Sequence, residues 1–286
     1  MSLADHTPEP EARKLLQAIG RADGGERIDL AQGALALAAL EAPAAKLAPY
    51  REHLDRLAAD VRAIVGDEPG VRLSVEDAQD ALTHVLFGLH GYQGDRETYD
   101  DLQNANLIRV IDRRKGLPVS LGVLYIQTAR AVGFEASGLD FPGHFLVRLE
   151  SAGARAVIDP FNDGAALDAA SLRALIKQTL GADAELEAAH YEAADDKDVL
   201  LRLQNNLKLR LIQGQQLDRA AEILDGMLTI APERAALWRE AGLVNAHIGN
   251  FRTAIAALEI YRERESREDA RQEAAALIDD LRRKIN

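Results

Sequence analysis

The chain has 286 residues, which is enough for two domains or for one domain with an appended helical module. Its 46 acidic residues outnumber the 34 basic ones, and the net charge of −12 disfavours binding to nucleic acid or to an anionic membrane surface. Because the sequence contains no cysteine, disulfides, thiolate metal sites and thiol chemistry are excluded.

Alanine supplies many of the apolar residues and aromatic residues are scarce, which favours closely packed helices over a β-sandwich. No apolar run approaches the ~20 residues of a membrane span. The beginning, MSLADHTPEPEARK, is acidic and lacks the basic start and apolar stretch of a secretory signal. We therefore expect a mostly helical, cytoplasmic protein.

Apolar residues recur at helical spacing over residues 28–65. Pro43 interrupts this pattern, and proline disfavours helix in the residue before it, so two helices are predicted. A third helix is predicted to begin at Ser74, because Ser-Val-Glu-Asp provides a capping side chain followed by acidic residues. Residues 88–94 are predicted to form a turn region.

Two further helices are predicted before the first strand. One contains Leu107 and Val110 and is expected to end just before Gly116, since glycine is preferred just after a helix and basic residues precede it here. The next begins at Pro118, which suits the first turn of a helix, and is expected to stop at Gly133.

Strands are predicted at residues 145–150 and 155–159, on either side of a Ser-Ala-Gly-Ala turn, which is the pattern of a β-hairpin. His144 opens the first strand, and Asp159 closes the second and is followed by a Pro-Phe dipeptide. If the turn is centred near Ala152, counting along both strands places the imidazole of His144 close to the carboxylate of Asp159.

An internal repeat begins after about residue 184. Apolar positions recur after 34 residues, so that Leu217, Ala220 and Leu224 are followed by Phe251, Ala254 and Leu258. Gly214 and Gly249 predict the turn inside each repeat, and Pro232 separates the repeats. This pattern resembles the tetratricopeptide repeat. It predicts a second domain over residues 184–286, with two repeats and a final amphipathic helix.

His144 and Asp159 fit the base and acid roles of a hydrolytic triad, and the role of nucleophile is vacant or disguised. A helix N-terminus favours an anionic nucleophile, an imidazole takes its proton and a carboxylate orients the imidazole. Each residue also has a structural interpretation. His144 would be held by Asp159, and Asp159 would start a turn.

Four blocks of the sequence resemble the bacterial SirB-type family, which joins a transglutaminase-like domain to C-terminal tetratricopeptide repeats. The blocks are Asn104 with Leu107 and Val110, residues 114–121, residues 141–146 and residues 158–161. The likeness extends from about residue 28 to the end. It implies an α+β, mostly helical fold over residues 1–183, with a transglutaminase-like (papain-like) core, a small antiparallel sheet and a helical N-terminal subdomain.

Transglutaminase-like enzymes place their cysteine at the start of the helix that here stops at Gly133. Counting back along that helix reaches Pro118, with Ser120 two residues further on, and neither residue is a thiol. The hydroxyl of Ser120 is the candidate nucleophile, and its structural interpretation is a hydrogen bond back to the preceding turn. The resemblance therefore implies the fold and two triad-like residues, His144 and Asp159, without the nucleophile. Members of this family are known mainly as regulators, so the resemblance also implies a regulatory role.

A metal site would have to gather histidines that are scattered along the chain. His84, His90 and His144 with Asp159 are the candidate ligands, but neither HxxxH nor HExxH spacing is present. The glycines between residues 91 and 116 form no phosphate-binding pattern. We therefore predict neither a metal nor a cofactor.

Our preferred hypothesis is a non-catalytic adaptor or regulator that binds a protein or peptide partner through its helical repeats. The alternative is a hydrolase or acyltransferase in which His144 and Asp159 work with Ser120, or with water, as nucleophile. A third hypothesis is a sensor whose cleft binds an acyl or peptide ligand without turning it over. No nucleic-acid or membrane partner is expected, and the oligomeric state is left open.

Overall fold

A computed structural model describes residues 9–23, 25–66 and 73–285 of the chain. The chain forms two compact units. The first contains Asp23–Leu203 and the start of the chain up to Arg13, and the second contains Lys14–Ala22 and Gln204–Asn286. The predicted domain boundary between residues 183 and 184 stays a prediction, and residues 1–8 of that first domain lie outside the described part.

Most of the first unit is helical. Its helices are α2 Leu30–Glu41, α3 Ala48–Val65, α4 Val75–Thr83, α5 Leu107–Arg113, α6 Pro118–Ala131 and α7 Ala169–Leu180. A π-helix, His84–Leu89, continues α4, and short 3-10 helices form at Leu102–Ala105 and Ala188–Tyr191. Two helices, α1 Glu9–Arg21 and α8 Asp196–Gln213, contribute residues to both units.

The helix boundaries follow the predicted signals. Separate helices α2 and α3 lie on either side of Pro43. The hydroxyl of Ser74 accepts a hydrogen bond from the backbone N–H of Asp77 at 3.0 Å, which confirms Ser74 as the cap of α4. Pro118 begins α6, and Gly133 follows its end with a φ of 93°. Glycine adopts this left-handed conformation without steric cost.

The prediction that the helix before α6 ends just before Gly116 is wrong. Its end, in α5, is capped by Arg114, which has a left-handed φ of 59°. Lys115 and Gly116 then form strand β2, Lys115–Gly116, which pairs in parallel with β1, Gln93–Gly94. Glycine is needed at 116 for space, because a Cβ there would lie 2.5 Å from the Oγ of Ser120.

A four-stranded antiparallel sheet contains β3 Glu135–Leu139, β4 Leu146–Ser151, β5 Ala154–Asp159 and β6 Ala165–Leu167, in that order. The predicted hairpin is confirmed: Ser151 pairs with Ala154 around a two-residue turn. Both turn residues, Ala152 and Gly153, have positive φ, which matches the twist of the flanking strands.

The prediction that His144 opens a strand is wrong, because β4 begins at Leu146. Pro142 and Gly143 form a turn before it, with Gly143 at a φ of 71°. The predicted turn region at residues 88–94 is also partly wrong, since it begins inside the π-helix and ends in β1.

The loop that carries His144 is anchored by its neighbour Phe145. The ring of Phe145 lies against two glycines: a Cβ on Gly122 of α6 would approach it to 2.2 Å, and a Cβ on Gly138 of β3 to 3.0 Å. Because Gly122 has no side chain, α6 and the sheet come close enough to enclose the ring. Phe145 is 3% exposed as a result.

The second unit contains the predicted repeats. The C-terminal part of α8 is followed by α9 Leu217–Ile230, α10 Ala235–His247, α11 Phe251–Arg264 and α12 Glu268–Ile285. This gives two helical pairs and a final helix, as predicted. Tyr261 is buried with Ala270 and Ala274, and Trp238 packs against this cluster.

Gly214 and Gly249 both lie in the turns inside the two repeats, as predicted. The left-handed residues are Gln215, with a φ of 57°, and Gly249, with a φ of 82°. These positions are 34 residues apart, which is the repeat period, whereas Gly214 precedes the left-handed position by one residue. Gly249 therefore has the conformation that its residue type favours, and Gln215 adopts the same conformation at a steric cost.

Candidate functional site

Ser120 is the third residue of α6 and is completely buried. Its hydroxyl donates to the backbone oxygen of Asn104 at 2.8 Å and to that of Leu117 at 3.0 Å. A hydroxyl has one hydrogen, which these two carbonyls share. The arrangement matches the structural interpretation of Ser120, in which the side chain bonds back to the turn before the helix.

Asn104 connects Ser120 to a network of buried polar groups. The amide nitrogen of Asn104 donates to the backbone oxygen of Thr98 at 2.6 Å, and its amide oxygen accepts from Arg113 at 2.8 Å. A second nitrogen of Arg113 lies 2.9 Å from a carboxylate oxygen of Asp95. The loop before α5 and the start of α6 are thus held together by side-chain hydrogen bonds.

Asp95 is the charged group of this network and is 1% exposed. Burial opposes its ionisation, but hydrogen bonds from Thr98, Arg113 and Asn104 outweigh burial and hold the pKa of Asp95 below its usual range. Its carboxylate accepts from the hydroxyl of Thr98 at 2.6 Å and from the Thr98 backbone N–H at 2.9 Å. Asp95 is therefore a structural anion whose carboxylate binds Thr98 and Arg113.

His144 lies in the turn between β3 and β4 and is half-buried. Its ring meets the ring of Phe141 edge to face, with the centroids 6.5 Å apart. Its backbone oxygen accepts a hydrogen bond from the guanidinium of Arg202 at 2.7 Å, and this guanidinium lies 5.5 Å from the centroid of Phe145. Arg202 of α8 therefore holds the turn through the backbone oxygen of His144 rather than through its imidazole.

Asp159 ends β5 and is 6% exposed. Its carboxylate accepts from the backbone N–H of Phe161 at 2.9 Å and from that of Asn162 at 3.3 Å, and it also binds the side-chain amide of Asn162. These contacts are those of a turn-initiating aspartate. They position Phe161 against Gly94, where a Cβ would lie 2.6 Å from the ring.

The sheet places two of the three predicted site residues at the same end. Val147 of β4 pairs with Ile158 of β5, so the start of one strand lies beside the end of the other. Within the described residues, no hydrogen bond joins Ser120, His144 and Asp159 to one another. A shared site of these three side chains stays a prediction.

An aromatic and cationic surface, which sequence reasoning missed, lies beside the Asp159 turn. The rings of Tyr99 and Phe161 are 5.7 Å apart, edge to face, and the guanidinium of Arg96 lies 5.5 Å from the centroid of Phe161. Tyr99 is 42% exposed. No periodicity marks these residues, because Arg96 and Tyr99 belong to an irregular loop and meet Phe161 only through the fold.

The histidines considered as metal ligands do not converge. His90 lies 2.7 Å from a carboxylate oxygen of Asp60, while His84 is exposed on the π-helix. In residues 9–23, 25–66 and 73–285, no group of three or more histidines and carboxylates is placed to hold a metal ion. Over the same residues, no helix has the length and apolar character needed to cross a bilayer.

Family models match two consecutive parts of the chain. The transglutaminase-like superfamily model matches residues 48–205, which is more than half of the chain, and a tetratricopeptide-repeat model matches residues 207–279. The first match includes Asn104, Ser120, His144 and Asp159. The second covers most of the helical repeats.

Bacterial proteins are similar to this chain over much of its length. A UPF0162 protein of Xylella fastidiosa is 36% identical over 63% of this chain and 66% of its own length. A UPF0162 protein of Vibrio cholerae is 29% identical over 83% of this chain and 87% of its own length. Protein SirB1 of Salmonella typhimurium is 27% identical over 74% of this chain and 77% of its own length.

The matched part thus spans just under two thirds of the Xylella relative. Together, the fold, the two family models and these relatives confirm the resemblance to SirB-type proteins. The chain belongs to the transglutaminase-like superfamily and carries tetratricopeptide repeats after its transglutaminase-like domain.

Proposed function

We propose that this protein is a non-catalytic adaptor or regulator that binds a protein or peptide partner through its helical repeats. The observation that carries this proposal is the burial and hydrogen bonding of Ser120, which lies two residues after Pro118, the expected nucleophile position. It is completely buried, and its hydroxyl donates to two backbone carbonyls. Since the chain has no cysteine, the start of α6 offers no accessible nucleophilic side chain.

The repeats supply a candidate surface for the partner. Leu209 of α8 and Leu243 of α10 are 47% and 39% exposed. They are 34 residues apart, so they occupy equivalent positions in the first helix of each repeat. An ion pair between the buried ammonium of Lys208 and the carboxylate of Glu240 joins the same two helices. Tetratricopeptide repeats commonly mediate protein interactions, and equivalent exposed leucines would give a partner two anchoring points.

Affinity capture tests this proposal. The full chain is expected to retain a specific partner, and the double variant Leu209→Ser/Leu243→Ser is expected to lose it. Leu180→Ser is the matched control, because Leu180 is 57% exposed on α7, outside the repeats. The proposal fails if no partner is retained at native expression, or if the Leu180 variant loses binding as completely as the double variant.

The second candidate function is a hydrolase or acyltransferase that uses His144. One observation favours it: among the described residues, the ring nitrogens of His144 take part in no hydrogen bond, so the imidazole is available to a substrate or a water molecule. Asp159 would orient this imidazole, and Ser120 or water would be the nucleophile.

Covalent labelling and turnover separate the two functions. Intact mass is measured after exposure to a serine-reactive fluorophosphonate, for the native chain and for Ser120→Ala and His144→Ala. The adaptor proposal predicts no labelling of any of the three. Stoichiometric labelling that both substitutions abolish would contradict it. Hydrolysis of an activated ester that His144→Ala abolishes and Ser120→Ala leaves unchanged would instead indicate water as the nucleophile.

A further inference from the structure

A second group of buried polar residues surrounds His53 of α3, which is 8% exposed. The Nε2 of His53 lies 2.9 Å from the hydroxyl oxygen of Tyr92 and 2.6 Å from Nη1 of Arg114. A guanidinium only donates hydrogen bonds, so Nε2 is the acceptor and the ring carries its hydrogen on Nδ1. The imidazole is thus neutral and held in one tautomer.

Arg114 is pre-positioned by its surroundings. Its guanidinium lies 4.8 Å from the centroid of Tyr92, and its Nη1 donates to the hydroxyl of the same residue. Its backbone is in the left-handed conformation, which turns the chain from α5 into β2. Among the described residues, no hydrogen bond uses the Nε or Nη2 of Arg114. An arginine that is held through one nitrogen and keeps N–H donors on the other two is suited to binding a ligand.

Arg114 lines an open groove of about 620 Å³. This volume is within the range of small-molecule sites. The walls are completed by residues of α3, of α5 and of the segment before α3: Lys46, Pro49, Tyr50, Glu52, His53, Arg56, Ile111 and Asp112. Three cations and two carboxylates therefore face the groove, in a chain whose net charge is −12.

In the described residues, neither carboxylate of the groove forms an ion pair with one of its three cations. Asp112 accepts a hydrogen bond from the hydroxyl of Tyr50 at 3.1 Å and lies 3.8 Å from the guanidinium of Arg109. In the part of the chain that the structure describes, Lys46 and Arg56 form no ion pair with Glu52, Asp112 or any other acid. Both basic side chains are exposed and able to turn towards an anion.

The neutral state of the His53 imidazole is consistent with the excess of cations over carboxylates in the groove. Burial, followed by the charges of Arg114, His90 and Arg56, lowers the pKa of His53 to about 4. Only Asp60 opposes them, and it is engaged by His90. The imidazole therefore remains neutral near pH 7 and serves as a positioning acceptor for Arg114.

We propose that this groove binds a small phosphate-bearing molecule, with Arg114, Arg56 and Lys46 contacting its phosphate oxygens. An arginine fork matches a phosphate group bidentately, and three cations suit a dianion better than a monoanionic carboxylate. Pro49, Tyr50 and Ile111 provide apolar surface for the rest of the molecule. The inference is independent of the adaptor function, because none of these residues belongs to the repeats or to the triad-like set.

Calorimetric titration of the full chain with inorganic phosphate tests the site, at constant ionic strength maintained by sodium chloride. Saturable binding is expected for the native chain. Arg56→Gln and Arg114→Lys are each expected to weaken it by about tenfold, the loss of roughly one charge-assisted hydrogen bond. Lys177→Gln, which removes an exposed cation from α7, is expected to leave the affinity unchanged.

Arg56→Gln keeps the test independent of folding, because Arg56 is an exposed side chain with no hydrogen bond among the described residues. An unchanged thermal midpoint verifies that each variant is folded. Absence of saturable phosphate binding would overturn the proposal. So would equal affinity for acetate, or an affinity that both groove variants leave unchanged.

Discussion

Arg130 of α6 and Asp196 of α8 form a doubly hydrogen-bonded ion pair that is nearly excluded from solvent. Their two N–O distances are 2.8 and 2.9 Å, and their side chains are 11% and 6% exposed. Asp196 also accepts from the backbone N–H of Ile28 at 2.9 Å, and Arg130 also donates to the backbone oxygen of Ala136. One ion pair thus ties the end of α6 to the segment before α2, to β3 and to α8.

Removing one partner of this pair leaves the other charged and buried. We expect Asp196→Ala to lower the free energy of unfolding of the first unit by about 3–5 kcal/mol. Glu135→Ala is the control, because Glu135 pairs with Arg27 at an exposed site and its loss should cost less than about 1 kcal/mol. Urea unfolding monitored by circular dichroism measures both. Equal effects of the two substitutions would show that burial of the Arg130–Asp196 pair does not increase the free-energy cost of breaking it.

Gly122→Ala tests the packing of Phe145 against α6. Because the new Cβ would lie 2.2 Å from the Phe145 ring, the ring must move, and we expect a loss of about 1–3 kcal/mol despite the better helix propensity of alanine. Phe145→Leu in the Gly122→Ala background should recover part of the loss. Gly88→Ala, with its nearest atom at 3.6 Å, should be close to neutral. The packing argument is wrong if Gly122→Ala melts at the same temperature as the native chain.

The acid sensitivity of the first unit should depend on His53. Its pKa of about 4 in the folded state lies below the ordinary value of about 6.5, so the unfolded chain binds more protons between these pH values. The free energy of unfolding should therefore rise from pH 4 to pH 6.5, and this stabilisation is lost as the pH falls through the window. Each unit of pKa difference corresponds to about 1.4 kcal/mol.

Urea midpoints across this window test the assignment to His53. The increase of the urea midpoint with pH should be smaller in His53→Gln, whose amide oxygen is still able to accept a hydrogen bond from Arg114. Identical slopes for the native chain and His53→Gln would exclude His53 as the source of the pH dependence.

Gln215→Gly should stabilise the second unit. Gln215 has a φ of 57°, and a left-handed conformation costs a non-glycine residue about 1–2 kcal/mol. Glycine removes this cost, although its greater freedom in the unfolded chain offsets part of the gain, so we expect an increase of about 0.5–1 kcal/mol. Gln216→Gly, one residue further on at a φ of −92°, should be destabilising. Thermal unfolding that ranks these variants in the opposite order would contradict the strain at Gln215.

The predicted elements that the structure confirms depend on local signals. Ser74 caps α4 with its own side chain, and Pro118 begins α6 because its fixed φ suits the first turn. The hairpin turn needs two residues with positive φ, and Ala-Gly lies where the pattern of the strands required a turn. Each of these features is readable because its cause lies within a few residues of the chain.

The features that the sequence did not predict, or misplaced, depend on contacts between distant residues. Strand β3 contains alanine, serine and glycine, which have weak strand preference, and it forms because Gly138 admits the ring of Phe145 and because β4 is available for pairing. Gly116 suggested a helix end, but the space beside Ser120 requires glycine there, and Arg114 takes the left-handed position instead.

The sequence by itself determined the helical class, the hairpin, the 34-residue repeat and the absence of a thiol, because periodicity, capping and composition are local or additive properties. Only the tertiary structure decided that the Ser120 hydroxyl donates to Asn104 and Leu117, that Asp159 holds the Phe161 turn, and that basic side chains from separate segments face one groove beside His53. Hydrogen-bond partners and local charge depend on which segments meet, and spacing along the chain does not specify that.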